Sequence, residues 1–265
     1  MMTKIAVILP TYIPKEYIVK CFDSLDSQSL SNSEYCVYIG LNGPRDDNET
    51  FVKSCLGKFS FNYKYFYLST AGVSHTRNAL IEESKEDYIV FLDDDDEITS
   101  NYLENLLSVS TPTTMGIANV MNFIGERNNI SENYIGKSFK KLASKGSSLF
   151  VYRKYFSSPC AKMLHRKMIG NARFDTKLAR GEDGLFMATI SNNIDYIAKC
   201  SSDTIYYVNY RQNSASRKKV DRRNESKKLI YLVKKYTSML FFKGYNSAFI
   251  ATRILATLNH LKKLY

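Results

Sequence analysis

The stretch Tyr88–Glu97 reads YIVFLDDDDE, five apolar residues followed directly by five acidic ones. Its apolar half is continuous rather than alternating, which predicts a strand buried on both faces, as in a parallel sheet. Its acidic half cannot stay in that core, because unpaired carboxylates are costly to bury. We therefore expect the carboxylates at the C-terminal edge of the sheet, where open α/β sheets bind their ligands.

The acidic cluster also predicts a bound cation. Clustered carboxylates repel one another unless a cation lies among them, and oxygen ligands favour hard divalent ions such as Mg2+ or Mn2+. An ion held by few protein oxygens keeps positions for phosphate oxygens, which suggests a metal–diphosphate site. The simpler alternative is an exposed acidic loop in which Asp96 caps a helix beginning near Asn101. For Asp96 and Glu97 we favour this capping and helix-dipole role.

The residues before this stretch alternate between strand and helix patterns. Apolar runs predict strands at Lys4–Tyr12, Tyr35–Leu41 and Tyr63–Leu68, and helical patterns begin at Pro14, near Phe51 and at His75, the last capped by Ser74. Such alternation predicts an α/β fold, a mostly parallel Rossmann-like central sheet flanked by helices. The strand ends, including Thr11-Tyr12 and Asn42-Gly43, then meet the acids at one edge.

The second half of the chain is less regular. The patterns predict a helix at Asn101–Ser108, a strand at Met115–Ile124, loop with a short helix over Glu126–Gly146, a helix at Cys160–Met168 and a strand at Thr204–Tyr210. The five cysteines are scattered without metal-ligand spacing, which favours reduced thiols in a cytoplasmic protein. Neither a signal peptide nor a membrane-spanning run is apparent.

Positive charge is concentrated near the C-terminus. Residues 211–235 carry ten Lys or Arg and two acids, a net +8 out of +11 for the whole chain. We divide the chain into a catalytic domain, residues 1–216, and a basic amphipathic helical segment, residues 217–265. That segment suits an anionic membrane surface. Equally, it suits packing on the domain or a homodimer contact; nucleic-acid binding is weaker, since no recognition motif is visible.

Five motifs in order resemble those of family 2 glycosyltransferases with the GT-A fold. They are Pro10-Thr11-Tyr12, the Gly72–Asn78 helix start, the Leu92–Asp96 acid cluster, Gly181-Glu182-Asp183 and the Tyr210–Ser216 segment. The resemblance covers residues 4 to about 216. It implies transfer of a sugar from a nucleotide-sugar to a hydroxyl of a glycan or lipid-linked acceptor, as in bacterial surface-polysaccharide synthesis, with Mn2+ or Mg2+ as cofactor. The location implied is cytoplasmic, with a peripheral position on the inner face of the plasma membrane.

Two departures from the family pattern refine this expectation. Leu41-Asn42 replaces the usual pair of aspartates after the second strand, which leaves the nucleotide base less defined, although Asn42 both accepts and donates hydrogen bonds. The late motif of processive synthases is absent, as are membrane spans, which favours transfer of a single sugar. A UDP-sugar is the expected donor.

The resemblance assigns roles to individual residues. Asp95 is the expected metal ligand, with Asp93 supporting the metal or meeting the ribose. The remaining nucleotide-sugar contacts are assigned to Pro10, Thr11, Tyr12, Asn42, Arg77, Asp94, Lys162 and Arg211. For Arg77 the alternative is a surface helix arginine, and for Arg211 it is simply the start of the basic run. His165, in the same segment as Lys162, is expected to be structural.

The reaction also requires a base for the acceptor hydroxyl, and we assign this role to Asp183, with Glu182 as the neighbour that could substitute. Adjacent helical residues point about 100° apart, so one of the two faces the acceptor. The alternative is that both acids only stabilise the helix by interacting with the positive end of its dipole at the N-terminus. Direct attack assisted by one base implies inversion. Two other functions are rivals. One is a sugar-phosphate nucleotidyltransferase, although this sequence lacks the Gly-rich basic loop that such an enzyme needs after its first strand. The other is a catalytically idle nucleotide-binding module.

Overall fold

In the computed structural model, which describes residues 4–210 and 221–264, strands and helices alternate through the first third of the chain. They are β1 (Ile5–Thr11), α1 (Tyr17–Asp26), β2 (Tyr35–Leu41), α2 (Asp46–Leu56), β3 (Tyr63–Tyr67), α3 (Val73–Glu83) and β4 (Tyr88–Phe91). Every residue of β1 and β2 is buried, as expected for central parallel strands covered by helices on both faces. The α/β architecture predicted from the alternation is confirmed.

The remaining described elements follow in chain order. They are β5 (Glu97–Ile98), α4 (Tyr102–Val109), β6 (Thr114–Ile117), β7 (Asn119–Ile124), β8 (Glu126–Glu132), α5 (Gly136–Phe139), β9 (Lys145–Gly146), β10 (Lys162–His165), α6 (Arg166–Ile169), α7 (Glu182–Ile190), β11 (Tyr196–Lys199), β12 (Ile205–Asn209), α8 (Arg222–Met239) and α9 (Ser247–Lys262). Short 3-10 helices span Arg153–Ser157 and Ser191–Asn193.

These strands form two sheets. In the larger sheet the order is β3-β2-β1-β4-β10-β6-β11-β9, and its first four strands are parallel. Strand β10 runs antiparallel to both β4 and β6, so it reverses direction beside the acidic strand, whereas β6 and β11 run in the same direction as the first four strands. The smaller sheet has the order β5-β12-β7-β8 and places β12 against the segment that follows the acids.

The predicted helix over Cys160–Met168 is wrong. Lys162–His165 form β10, whose four residues are all buried between β4 and β6, and only Arg166–Ile169 are helical. A strand buried on both faces lacks the alternation of apolar and polar residues that would distinguish it from a buried helix in the sequence. His165 caps the short helix α6, because its Nδ1 accepts the Lys167 N–H at 3.1 Å, which agrees with a structural role.

Other element boundaries also differ from the predictions. The predicted strand Met115–Ile124 is two strands, β6 and β7, that belong to different sheets, and the polar stretch after it contains β8 and β9. Helix α1 begins at Tyr17 rather than Pro14. Ser74 does not cap α3, since the helix begins at Val73 after Gly72, whose φ of 127° favours glycine, and the Ser74 hydroxyl is buried without a hydrogen-bond partner.

The two C-terminal helices pack on the rest of the protein. Leu229, Leu232 and Tyr236 of α8 and Phe249 and Ile250 of α9 are buried and continuous with the main core. Leu232 packs against Gly181, where a Cβ would lie 2.6 Å from Leu232 Cδ1. The domain boundary predicted at residues 216 and 217 lies outside the described residues. Among the helices that are described, none has the length and apolar character needed to cross a bilayer.

Candidate functional site

The ends of β1 and β2 are joined by hydrogen bonds at the edge of the sheet. The Asn42 backbone N–H and side-chain amide both donate to the Thr11 carbonyl, at 3.0 and 3.2 Å. Asn42 Oδ1 in turn accepts the Gly72 N–H at 3.2 Å, and the Thr11 hydroxyl donates to Asp94 at 2.5 Å. Thr11, Asn42 and Asp94 therefore lie together, as parallel strands ending at one edge require.

Tyr12 and Gly43 continue this edge. A Cβ on Gly43 would lie 1.8 Å from the Tyr12 carbonyl oxygen, so the close approach of the two loops depends on glycine. The Tyr12 side chain is 52% exposed beside this contact and is available to a ligand. Pro10 is buried within β1 opposite Gly40, one layer behind the edge.

The carboxylates after β4 have divided roles. Asp93, Asp94 and Asp95 are partly exposed, and Asp94 and Asp95 lie in a turn. Asp96 is 5% exposed and accepts hydrogen bonds from the Tyr206 hydroxyl at 2.7 Å and the Asn209 N–H at 2.8 Å. Burial, followed by repulsion from Asp95, raises the pKa of Asp96 well above its ordinary value.

The helix-capping role predicted for Asp96 and Glu97 is therefore wrong. Asp96 ties the acidic loop to β12, and Glu97 is in β5, where it pairs with Arg127 at 2.7 Å. Tyr206 also accepts the Asp93 N–H at 3.3 Å, so this tyrosine holds the loop at two points. Sequence reasoning missed Tyr206, because its partners are more than 100 residues away in the chain and no local spacing reports them.

Arg77 joins the acidic loop to the helix that carries Asp183. Its Nη2 lies 2.8 Å from Asp93 Oδ1 and its Nη1 lies 2.7 Å from Asp183 Oδ1. The side chain is buried, and its guanidinium lies 5.3 Å from the ring centroid of Phe174. Burial alone would lower the pKa of Arg77, but the charges of Asp183 and Asp93 outweigh it and raise this pKa. The alternative of a surface arginine is wrong.

Glu182 and Asp183 occupy the first turn of α7. Gly181 begins the helix with a φ of 84°, which favours glycine. Glu182 is 8% exposed; burial and the neighbouring Asp183 raise its pKa to about 7. Burial also raises the pKa of Asp183, against the opposing charge of Arg77. Of the two, Asp183 is the one that faces the acidic loop through Arg77.

Lys162 is close to this pair but is directed at backbone. Its Nζ donates to the carbonyls of Ser158 and Cys160, each at 2.5 Å, and the side chain is 1% exposed. Burial lowers the pKa of Lys162 to about 7. Ala161, between these groups, has a φ of 62°. Lys162 thus fixes a strained turn before β10. Arg211 lies outside the described residues.

The donor set is compatible with a divalent ion bound jointly by protein and substrate. Within residues 4–210 and 221–264, no group of three or more His, Cys, Asp or Glu side chains is arranged to hold a metal. The acidic loop offers only carboxylate oxygens, and part of this set is already engaged, Asp93 by Arg77 and Asp94 by Thr11. Mg2+ is commonly held by one or two carboxylates together with substrate phosphates, so the residues fit such a site.

Comparison with known proteins adds independent findings. The sequence profile described as glycosyl transferase family 2 matches residues 6–171. A Campylobacter jejuni GalNAc(5)-diNAcBac-PP-undecaprenol beta-1,3-glucosyltransferase is 26% identical over 219 residues, which cover 81% of this chain and 68% of that relative. Streptococcus pneumoniae glycosyltransferase GlyA is 27% identical over 81% of this chain but only 32% of its own length.

A solved structure shows the same fold. Staphylococcus aureus TarS residues 1–349, in complex with UDP-GlcNAc, superposes with a TM-score of 0.78 at 21% identity, covering 97% of this chain and 72% of that one. The matched profile spans well over half of the 265 residues and includes the edge of the sheet, Arg77 and the acidic loop. On this evidence the chain belongs to glycosyltransferase family 2 and is a glycosyltransferase of the GT-A fold.

Proposed function

We propose that the protein transfers a single sugar from a UDP-sugar to a hydroxyl of a glycan or lipid-linked acceptor, with inversion, in the synthesis of a bacterial surface polysaccharide. The observation that carries this proposal is the Asp93–Arg77–Asp183 bridge, whose two contacts are 2.8 and 2.7 Å. The bridge joins the acidic loop to the assigned base through one side chain, which supports a shared cleft between them of the kind that displacement of a diphosphate by an activated hydroxyl requires.

The donor half of this cleft is the edge formed by Thr11, Tyr12, Asn42 and Asp94. Asn42 is buried and would order the loops around the base through its bonds to Thr11 and Gly72, and the exposed ring of Tyr12 would offer a surface for the base. UDP-GlcNAc bound to the structurally similar TarS supports a uridine donor. The C. jejuni relative is named as acting on an undecaprenol-linked glycan, which supports a lipid-linked acceptor.

Asp95 and Asp93 would hold the divalent ion, Mn2+ or Mg2+. When bound, the ion would stabilise the negative charge that develops on the departing diphosphate. Asp94 is held by the Thr11 hydroxyl and would orient the loop toward the ribose. Asp96, tied to Tyr206, fixes the loop from its buried side.

Asp183 would act as the general base. The acceptor oxygen forms a bond to the anomeric carbon on the face opposite the diphosphate, the bond from that carbon to the diphosphate oxygen breaks, and the hydroxyl proton moves to Asp183. Arg77 holds Asp183 toward the donor half. Glu182 remains the candidate to substitute, since its raised pKa also suits proton transfer near neutral pH. Lys162 supports the turn behind Asp183, and Arg211 is proposed to neutralise the diphosphate.

Replacing Asp183 tests this assignment. Asp183→Asn should lower the transfer rate by roughly 100- to 10,000-fold, because proton abstraction is lost, while UDP affinity by calorimetry in Mn2+ stays unchanged. Glu83→Gln, an exposed substitution at the end of α3, is the matched control. Turnover near the wild-type rate in Asp183→Asn would refute the role of this residue. No metal-dependent UDP binding in the wild-type chain would instead favour an idle binding module.

The C-terminal segment is proposed to contact an anionic membrane surface through the turn between α8 and α9. The apolar face of α8 is occupied by packing, but Phe241 is 82% exposed and Phe242 is 65% exposed in that turn. Lys234, Lys235 and Lys243 are exposed nearby. Exposed aromatic residues beside lysines suit an anionic bilayer surface.

Co-sedimentation with phosphatidylglycerol vesicles tests this contact. Phe241→Ser/Phe242→Ser should lose binding, whereas Leu255→Ser/Leu258→Ser, on an exposed face of α9, should retain it. Equal binding of the two variants would refute the turn as the membrane contact. A loss of dimer by light scattering in the first variant, without any vesicle binding by wild type, would assign the turn to self-association.

A further inference from the structure

A cavity of about 240 Å3 lies between the first turn of α7 and the two C-terminal helices. One wall is formed by Gly181 and Gly184, and the facing walls by α8 and α9. A Cβ at Gly184 would lie 3.3 Å from the Tyr236 hydroxyl, and one at Gly181 would contact Leu232. Because both wall residues are glycines, only one turn of bare backbone separates the cavity from Asp183.

Two of the polar residues that line the cavity, Glu225 and Arg253, each have one buried atom without a hydrogen-bond partner in the described part of the chain. Glu225 is 2% exposed, and its Oε2 has no hydrogen-bond partner within residues 4–210 and 221–264. Arg253 also lines the cavity, and its Nε is buried without a partner in the same described ranges. An unsatisfied buried polar atom is costly, and more so when charged, so its presence calls for an explanation, and a bound ligand that completes the hydrogen bond is one.

The two groups require complementary partners. A carboxylate oxygen accepts a hydrogen bond from a ligand donor, and a guanidinium N–H donates to a ligand acceptor. A hydroxyl group provides both. A phosphate offers mainly acceptors near neutral pH and would leave the Glu225 oxygen unsatisfied, although Arg180, Arg253 and His260 also line the cavity. Between the polar groups, Leu229, Leu232 and Tyr236 provide an apolar wall of the kind on which the carbon face of a sugar ring packs.

The size of the cavity limits the ligand further. Its volume of about 240 Å3 is below the range of about 300–1,000 Å3 that is common for drug-sized ligands. The space therefore suits one small ring or a short alditol rather than an extended chain. Because the cavity lies behind Asp183, a ring or alditol bound in it is not the one that carries the reacting hydroxyl.

We propose that this cavity binds a neutral, polyhydroxylated unit of the acceptor, one sugar or alditol residue removed from the hydroxyl that attacks the donor. Glu225 accepts hydrogen bonds from its hydroxyls, and Arg253 donates to one of its oxygens. This inference rests on the proposed transferase function, because it takes the bound unit to be part of the acceptor.

Ligand-observed saturation-transfer NMR on the full chain with UDP and Mg2+, which is diamagnetic and leaves the ligand signals sharp, tests the cavity directly. The probes are methyl glycosides of glucose, galactose, N-acetylglucosamine and N-acetylgalactosamine, together with ribitol and methyl phosphate. We expect at least one neutral probe to bind wild type and to bind Glu225→Gln at least tenfold more weakly. Lys227→Gln, an exposed substitution two residues along α8, is the matched control and should bind like wild type.

A second pair of variants fills the cavity without touching its charges. Ala256→Trp, at the cavity wall, should abolish probe binding, while Ala251→Trp, on an exposed part of α9 outside the cavity, should not. The inference is overturned if no neutral probe binds wild type, if methyl phosphate is the only ligand, or if Glu225→Gln and Ala256→Trp bind as wild type does.

UDP affinity and hydrolysis of the UDP-sugar, measured in the same samples, separate this inference from the proposed function. Lys227→Gln should keep both at the wild-type level and is the reference against which Glu225→Gln is compared. Normal UDP binding and hydrolysis without Glu225-dependent glycoside binding would overturn the cavity alone. Loss of metal-dependent UDP binding in wild type would instead count against the transferase proposal.

Discussion

The two sides of the cleft differ in how completely their polar groups are satisfied. On the donor side, Thr11, Asn42 and Asp94 bond to one another or to neighbouring backbone at the edge of the sheet. On the other side, beyond Asp183, Glu225 and Arg253 retain buried atoms without partners within the described residues. The half proposed to bind the donor is thus largely organised in advance, with Ser74 Oγ and Arg77 Nε as unsatisfied atoms there, whereas the half proposed to bind the acceptor keeps polar groups that a substrate would satisfy. Arg77 is the link between the two halves.

Removing Arg77 should have the largest effect on this arrangement. Arg77→Ala leaves Asp93 and Asp183 facing each other without a cation. Loss of one partner of a fully buried ion pair costs about 3–5 kcal/mol, but these carboxylate side chains are 40% and 27% exposed, so solvent screening should reduce the cost to roughly 2–4 kcal/mol. We expect a fall of this size in the free energy of unfolding, measured by urea denaturation at neutral pH. Arg77→Lys should lose less, since it keeps the charge but not the two-armed geometry.

Neutralising the carboxylates provides the control for this prediction. If the cost arises from unpaired charges, adding Asp93→Asn and Asp183→Asn to Arg77→Ala should recover part of the lost stability. An unfolding free energy that is equal in Arg77→Ala and wild type would show that the bridge does not hold the two halves together. No recovery in the triple variant would assign the cost to lost packing on Phe174 instead.

How much of each half could be predicted from the sequence depends on whether its structure is reported by a local sequence pattern. Strands β1, β2 and β4 are continuous apolar runs that end at polar residues, so both their burial and the meeting of Thr11, Asn42 and the acids could be predicted. Strand β10 could not, because its four buried residues carry no period and its antiparallel partners are remote in the chain. The same holds for Tyr206, which binds Asp96 across 110 residues.

The raised pKa of Glu182 should make the free energy of unfolding depend on pH. Its pKa rises from an ordinary 4.5 to about 7 in the folded protein, so the folded state holds this proton more tightly than the unfolded chain does. The contribution of Glu182 to the free energy of unfolding should therefore fall by roughly 2–3 kcal/mol as the pH rises from about 4.5 to about 7. Urea denaturation at pH 5 and pH 8 measures it.

Glu182→Gln isolates this contribution, because the amide does not titrate. The difference in stability between wild type and Glu182→Gln should shift in favour of the variant between pH 5 and pH 8. Glu83→Gln, which removes an exposed carboxylate, should leave the difference constant. If wild type and Glu182→Gln changed in parallel across this range, burial of an ionisable Glu182 would not be the source of the pH dependence.

The close approach of Tyr12 and Gly43 provides a test of donor-side organisation. Gly43→Ala would place a methyl group 1.8 Å from the Tyr12 carbonyl oxygen, so the loops must separate. We expect a loss of roughly 1–3 kcal/mol in stability, as for other overpacked sites, together with weaker UDP binding. Gly57→Ala is the matched control, since its φ is −61° and its nearest contact would be 3.8 Å away. Equal UDP affinity in both variants would contradict a role for this contact.

The smallest effect is expected for the hydrogen bond between Thr11 and Asp94. Thr11→Val keeps the shape of the side chain but removes the donor of the 2.5 Å bond to Asp94 Oδ2. A hydrogen bond to a charged group contributes about 1.5–3 kcal/mol when buried, and this part-buried one should contribute less, roughly 1 kcal/mol. Because the bond orients a carboxylate of the donor site, the loss should appear as weaker UDP binding in Mn2+, about fivefold by calorimetry. Thr11→Ser, which keeps the hydroxyl, should restore it. If valine and serine bound UDP equally well, the donor side would owe its organisation to the backbone bonds of Asn42 rather than to this side chain.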